Sequence, residues 1–166
     1  MLKINLKNIL LNSLFVLTIF LADRITKIYI LQLAELENTV DVYLTSYLNL
    51  YLIWNKGIAF GLFSFDDNIV YNFISLIIIV ITIIILFMII KTEGFKKYCL
   101  MSILGGSIGN VFDRIYFSAV PDFIDFHVNS YHWFVFNVAD IFITLGVICL
   151  IYAEIFFNKR ENEKFI

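Results

Sequence analysis

The sequence predicts a membrane protein, mainly α-helical: a four-transmembrane-helix bundle with a small extracytoplasmic β-sheet between helices 1 and 2. Three observations carry that expectation. Of 166 residues, 61% are hydrophobic, with a mean hydropathy of +0.88, whereas soluble domains sit near half apolar. Four stretches approach the length of about 20 apolar residues that a helix needs to cross the hydrocarbon core. The segment between the first and second stretch alternates apolar and polar residues, the period of a half-buried strand. The length suits a single domain, residues 1–166.

Helix 1 is expected over about residues 7–33. Its apolar run Ile9 to Ala22 is followed by Asp23, Arg24 and Lys27. Lys3 and Lys7 give it the basic start of a signal peptide, but no A-x-A-like site closes the run, so a retained helix is favoured. Residues 34–67 are too polar to span. Val40, Val42 and Leu44 alternate with polar neighbours, and Leu48, Leu50 and Leu52 follow the same period. Tyr43, Tyr47, Tyr51 and Trp54 suit a sheet at headgroup level, where aromatic rings collect. Helix 2, residues 69–90, holds no charged residue. Its β-branched composition would favour a strand in water, but an isolated strand in lipid leaves its backbone unpaired. Helix 3 is expected over about 97–119 and helix 4 over about 134–157.

Basic residues set the orientation, since they collect on the cytoplasmic side. With four spans, Lys3, Lys7, Lys91, Lys96, Lys97, Lys159, Arg160 and Lys164 share one side. Both termini are therefore expected in the cytoplasm. The net charge of −2 argues against a nucleic-acid partner. Cys99 and Cys149 lie in apolar stretches and read as small core residues. The two histidines, His127 and His132, match no zinc-enzyme spacing, so neither metal nor cofactor is expected.

The remaining information lies in ionisable residues within or beside the spans, where a charge costs at least about 2.5–3.5 kcal/mol at mid-bilayer. Asp23 and Lys27 are i, i+4 and can pair; they either anchor a helix end or wall a site. In helix 3, GGSIGNVFDR sets Gly105 and Gly109 at the spacing of a close helix contact. Asn110 and Asp113 share a face there, followed by Arg114, and suggest a buried polar network. Pro121 interrupts helix after span 3, which leaves Asp122 and Asp125 in a loop before helix 4. Taken alone, Asp122 is a solvated loop acid. Asn137 and Asp140 are again i, i+3, and Asp140 is expected about two turns into an apolar helix. Spans 3 and 4 are consecutive and antiparallel, so Asp122 and Asp140 can face each other near the outer boundary. Two close carboxylates share a proton and can hydrolyse an amide through an activated water. A proton-coupled transport component fits the same chemistry equally well at this point, and a subunit whose polar residues only bind a partner helix is a third reading.

Five segments in order then resemble the lipoprotein signal peptidases, the signal peptidase II family: DRITK (23–27), NKGIAFG (55–61), GGSIGNVFDR (105–114), VPDFIDF (120–126) and FNVAD (136–140). The resemblance implies an aspartic endopeptidase of the bacterial inner membrane. Its substrate is a prolipoprotein cut before a diacylglyceryl-modified cysteine, and its site lies near the outer, periplasmic face. Asp122 and Asp140 would be the catalytic pair. Asn110, Asp113, Arg114 and Asn137 would line or brace the site. Asn55 and Gly57 would join the sheet to substrate, and Asp23 and Lys27 would support the structure nearby. Asp125 does not match the catalytic position. Pro121 stands where a β-branched residue is commoner, and Lys56 where Thr is commoner. The partners implied are the lipidated prolipoprotein and membrane lipid. Separately, a site assembled within one chain needs no partner subunit, so a monomer is expected.

Overall fold

The computed structural model describes residues 6–57, 68–129 and 131–162. Their elements run α1 (Leu6–Glu37), β1 (Asp41–Thr45), β2 (Leu48–Asn55), α2 (Asn68–Lys91), α3 (Gly94–Phe117), β3 (Val120–Val128), β4 (Tyr131–Phe136) and α4 (Val138–Asn162). Residues 58–61 of the NKGIAFG segment, and the rest of the predicted outer segment up to residue 67, lie outside the described residues.

Helices α1, α2 and α4 are long and apolar enough to cross a membrane. Their large apolar side chains point outward, as at Leu10, Leu14, Ile77, Ile81, Ile84, Ile148 and Ile155. A surface this apolar is suited to lipid and not to water. α3 carries Lys96, Lys97, Asp113 and Arg114 and is the hub of the bundle, packing against α1, α2 and α4. Its buried face runs from Cys99 to Arg114. Two small residues let neighbours come close. A Cβ on Gly109 would stand 2.5 Å from the Asp23 carboxylate of α1, and one on Gly106 would stand 2.5 Å from the Ala139 carbonyl oxygen of α4. The Gly105/Gly109 spacing thus does what its sequence suggested: a Cβ on Gly105 would stand 2.8 Å from Ile19, also on α1.

The strands form one antiparallel sheet in the order β1-β2-β3-β4. The predicted sheet between helices 1 and 2 is therefore only half of it. The other half comes from the segment expected to be a loop and the start of helix 4. Ser118 takes a left-handed conformation (φ 56°) and ends α3 just before β3. Pro121 pairs with Trp54 of β2, while β4 pairs with β3 only from Ile124 onward. The proline thus sits where one side of the strand needs no donor. Val42, Leu50, Leu52 and Ile124 from the strands and Leu33 and Ala34 from the end of α1 all pack against one buried cluster of Ile30, Val40 and Phe123, so the period-two residues seat the sheet on the bundle.

Helix 4 begins at Val138, four residues later than the predicted 134, because YHWFVF is strand β4. Asp140 is accordingly in the first turn of α4, not two turns in. Asn137 and Asp140 form a reciprocal cap. The Asp140 N–H donates to Asn137 Oδ1 at 3.1 Å, and the Asn137 N–H donates to Asp140 Oδ2 at 3.2 Å. This satisfies donors that a helix start otherwise leaves without partners.

Candidate active site

Two polar networks meet where the sheet joins the bundle. The first ties α1 to α3. Lys27 is fully buried, and its ammonium reaches Asp23 Oδ1 at 2.9 Å and Asp113 Oδ2 at 2.6 Å. Arg24 pairs with the other Asp113 oxygen at 2.6 Å and with Asp23 at 3.0 Å. Two cations thus neutralise two carboxylates where either alone would be costly. Asp23 also accepts the Ala139 N–H at 3.1 Å, which ties α1 to the first turn of α4.

The second network surrounds Asp122 on β3 and Asp140 on α4, both buried. Asp122 accepts from Asn55 Nδ2 at 2.9 Å and from Asn137 Nδ2 at 2.5 Å. Asp140 accepts from Asn110 Nδ2 at 2.9 Å and from the Asn137 backbone at 3.2 Å. Asn137 therefore bridges the two acids, through its side chain to one and its backbone to the other.

Each of the three asparagines is oriented the same way. A donor holds its amide oxygen, so its NH₂ points at a carboxylate. For Asn55 the donor is the Gly57 N–H at 2.7 Å, for Asn110 it is Lys27 Nζ at 2.9 Å, and for Asn137 it is the Asp140 N–H at 3.1 Å. Arg114 fixes the first of these in turn, donating to the Gly57 carbonyl at 2.7 Å. The two networks join at Asn110, which takes a bond from Lys27 and gives one to Asp140.

Burial, and after it the charge of Asp140, pushes the Asp122 carboxyl from its ordinary 3.8 up to about 7. The bonds from Asn55 and Asn137 work in the opposite direction and are outweighed. Desolvation resists a second negative charge beside the first, and such a site holds a proton near neutral pH.

All ten residues singled out from the sequence converge here: Asp122, Asp140, Asn55, Gly57, Asn110, Asp113, Arg114, Asn137, Asp23 and Lys27. Asp113 and Arg114 do not pair with each other; Asp113 turns to α1, and Arg114 to the strand end. Arg24 belongs to the network although the sequence reading placed it only among the helix-end charges. Its signal was its position directly after Asp23. Asp125 is elsewhere. Three residues beyond Asp122 on an extended strand, it falls on the opposite face, where it meets His132 at 2.7 Å.

A buried pair of carboxyls, braced by amides where a sheet meets an apolar bundle, is an arrangement suited to a membrane-bound hydrolase of the aspartic type. Comparison with known proteins agrees. The family model for signal peptidase II matches residues 15–156. A lipoprotein signal peptidase of Pelagibacter ubique (strain HTCC1062) is 58% identical over 163 residues, 98% of each chain. One from Anaplasma phagocytophilum (strain HZ) is 41% identical over 143 residues, 84% of this chain and 87% of that one. A solved bacterial membrane enzyme superposes with a TM-score of 0.68 at 25% identity, covering 87% of both chains. The chain belongs to the signal peptidase II family. It is a peptidase, and the transport reading is not favoured.

Proposed function

We propose that this chain removes the signal peptide from prolipoproteins at a diacylglyceryl-modified cysteine, with Asp122 and Asp140 as its catalytic pair. The observation that carries the reading is the Asn137 bridge: two buried acids from different elements are held against one residue. One carboxylate takes a proton from water as the water oxygen attacks the scissile carbonyl carbon. The protonated partner donates to the carbonyl oxygen. A proton then passes to the leaving nitrogen as the C–N bond breaks, freeing the cysteine amine and a new carboxylate. Asn55, Asn110 and Asn137 hold the pair without adding charge. Asp23, Lys27, Asp113 and Arg114 position those amides, and Gly57 supplies a backbone donor and acceptor.

The substrate is an apolar helix, and a furrow of about 230 Å³ lined by Phe136, Asp140, Ile141, Thr144 and Leu145 leads down α4 from the acid pair. α3 is read as the fourth span. Its 24 residues extend about 36 Å, and its inner charges, Asp113 and Arg114, are buried. The sheet caps one end of the bundle, while Lys7, Lys91, Lys96 and Lys97 mark the other. That asymmetry supports cytoplasmic termini and an acid pair near the periplasmic face of the bacterial inner membrane, with Tyr43, Tyr47, Tyr51 and Trp54 at the headgroups. Among the described residues, the acid pair and its amide donors are assembled within one chain, so they need no second copy to complete them.

The test uses cells whose only copy of this activity is the present chain and follows a diacylglyceryl-modified prolipoprotein. Wild type cleaves it. Asp122→Asn and Asp140→Asn each leave precursor accumulating while the protein still inserts. Normal processing by either variant sinks the assignment of the pair.

A further inference from the structure

The other face of β3 carries a second cluster that the acid pair does not use. Asp125 and His127 are i, i+2 on this strand, and His132 lies directly across from His127 on β4. One ligand atom from each of the three lies within 4.8 Å of the others. Asp125 Oδ2 stands 2.7 Å from His132 Nδ1 and 3.8 Å from His127 Nδ1. Tetrahedral Zn²⁺, with bonds of about 2.0–2.2 Å, needs ligand atoms about 3.4 Å apart, a spacing between those two distances.

A second, independent observation points to a ligand. The Asp125 and His127 side chains are 3% and 9% exposed. Asp125 Oδ1 and His127 Nδ1 are nonetheless buried without a hydrogen-bond partner. Buried polar atoms without partners are costly, and both belong to residues whose ligand atoms cluster. Beside them opens a cavity of about 390 Å³ that Asp125 and His132 help to line, with Asp41 and Asn49. An ion there is reachable from solvent.

We propose that Asp125, His127 and His132 form a binding site for a divalent transition-metal ion, Zn²⁺ by ligand type. Two imidazoles and a carboxylate suit Zn²⁺ and its neighbours Co²⁺, Ni²⁺ and Cu²⁺ over Mg²⁺ or Ca²⁺, which take oxygen ligands. The three protein ligands leave a fourth position for water. The ion would clip β3 to β4 across the sheet. Asp125 follows Asp122 by three residues, and His132 precedes Asn137 by five. The clip would therefore brace both strands that feed the acid pair without touching it.

The test uses the full chain, free of any histidine tag, purified in detergent and stripped with chelator. Titration with ZnCl₂ is followed by calorimetry, and titration with CoCl₂ by visible absorption. The expected result is a single equivalent of Zn²⁺ and the intense bands of tetrahedral Co²⁺, with no heat from MgCl₂. His132→Ala, at a position 58% exposed in its side chain and so safe for folding, should weaken Zn²⁺ binding by more than about tenfold. The near-isosteric Asp125→Asn should do the same. No saturable Zn²⁺ binding by the wild type overturns the proposal. Binding that survives both substitutions overturns it equally, because the ion is then held elsewhere.

Discussion

Replacing Lys27 by Met tests whether the charged network is a balanced unit. Lys27, Asp23 and Asp113 are each 0% exposed, and the cluster with Arg24 sums to two positive and two negative charges. Lys27→Met keeps the length of the side chain and removes one cation, leaving a net charge of −1 out of water. Removing one partner of a buried pair costs about 3–5 kcal/mol. For a chain of this size each kcal/mol shifts the melting temperature by about 2–4 °C, so the expected drop is roughly 6–20 °C. The assay is thermal unfolding of the detergent-purified protein, read by tryptophan fluorescence. The double variant Lys27→Met with Asp113→Asn restores neutrality, leaving Asp23 against Arg24. It should melt well above Lys27→Met alone. A single variant that melts within 2 °C of wild type, or a double variant no more stable than the single, refutes the reasoning. Cleavage should also fall in Lys27→Met, since the Asn110 amide loses the donor that aims it at Asp140.

Two further outcomes follow from the same geometry. Because the folded chain holds the Asp122 proton to about 7 against an ordinary 3.8, the unfolded state releases that proton first as pH rises. Its contribution to stability is therefore fully present below about pH 4 and is lost on going up to about pH 7. The melting temperature should fall over that window, and Asp122→Asn should flatten the fall; an unchanged slope in the variant would count against the burial argument. Gly106→Ala places a methyl group 2.5 Å from the Ala139 carbonyl oxygen, which is backbone and cannot swing away. It should push the first turn of α4 from α3 and lower cleavage by more than about tenfold, in line with the sensitivity of catalysis to small misplacements. Processing at the wild-type rate would show that Asp140 is not positioned through that contact.

Much of this was legible from residue types and spacing. The four helices were visible, three of them from length and apolarity and α3 in spite of its charges. Lys27 and Asp23 could be paired from i, i+4 geometry, and the glycines of α3 announced a close approach. The second half of the sheet was not legible. VPDFIDFHV and YHWFVF are rich in aromatics and β-branched residues but run directly into an apolar helix, so the strand before α4 reads as its first turns. That error placed Asp140 too deep. The signal that corrects it is local: Asn137 and Asp140 stand at the spacing of a capping box, which marks a helix start. The Asp125, His127 and His132 cluster was hidden for a different reason. Its members meet across two strands at a bulged register, and no spacing along the chain reports a partner that only sheet pairing supplies.

The two central acids belong to different layers. Asp122 and its donor Asn55 ride on the sheet, and Asp140 and its donor Asn110 ride on the helices. Asn137 occupies the one-residue gap between β4 and α4 and touches both acids. The proposed reaction centre is thus a joint, not a pit carved in one block. Its working distance is the spacing between two bodies, and a molecule that wedges them apart disables the pair without contacting either acid. Inhibition by wedging, unlike competition for the carboxylates, would leave their proton affinity free of any bound group.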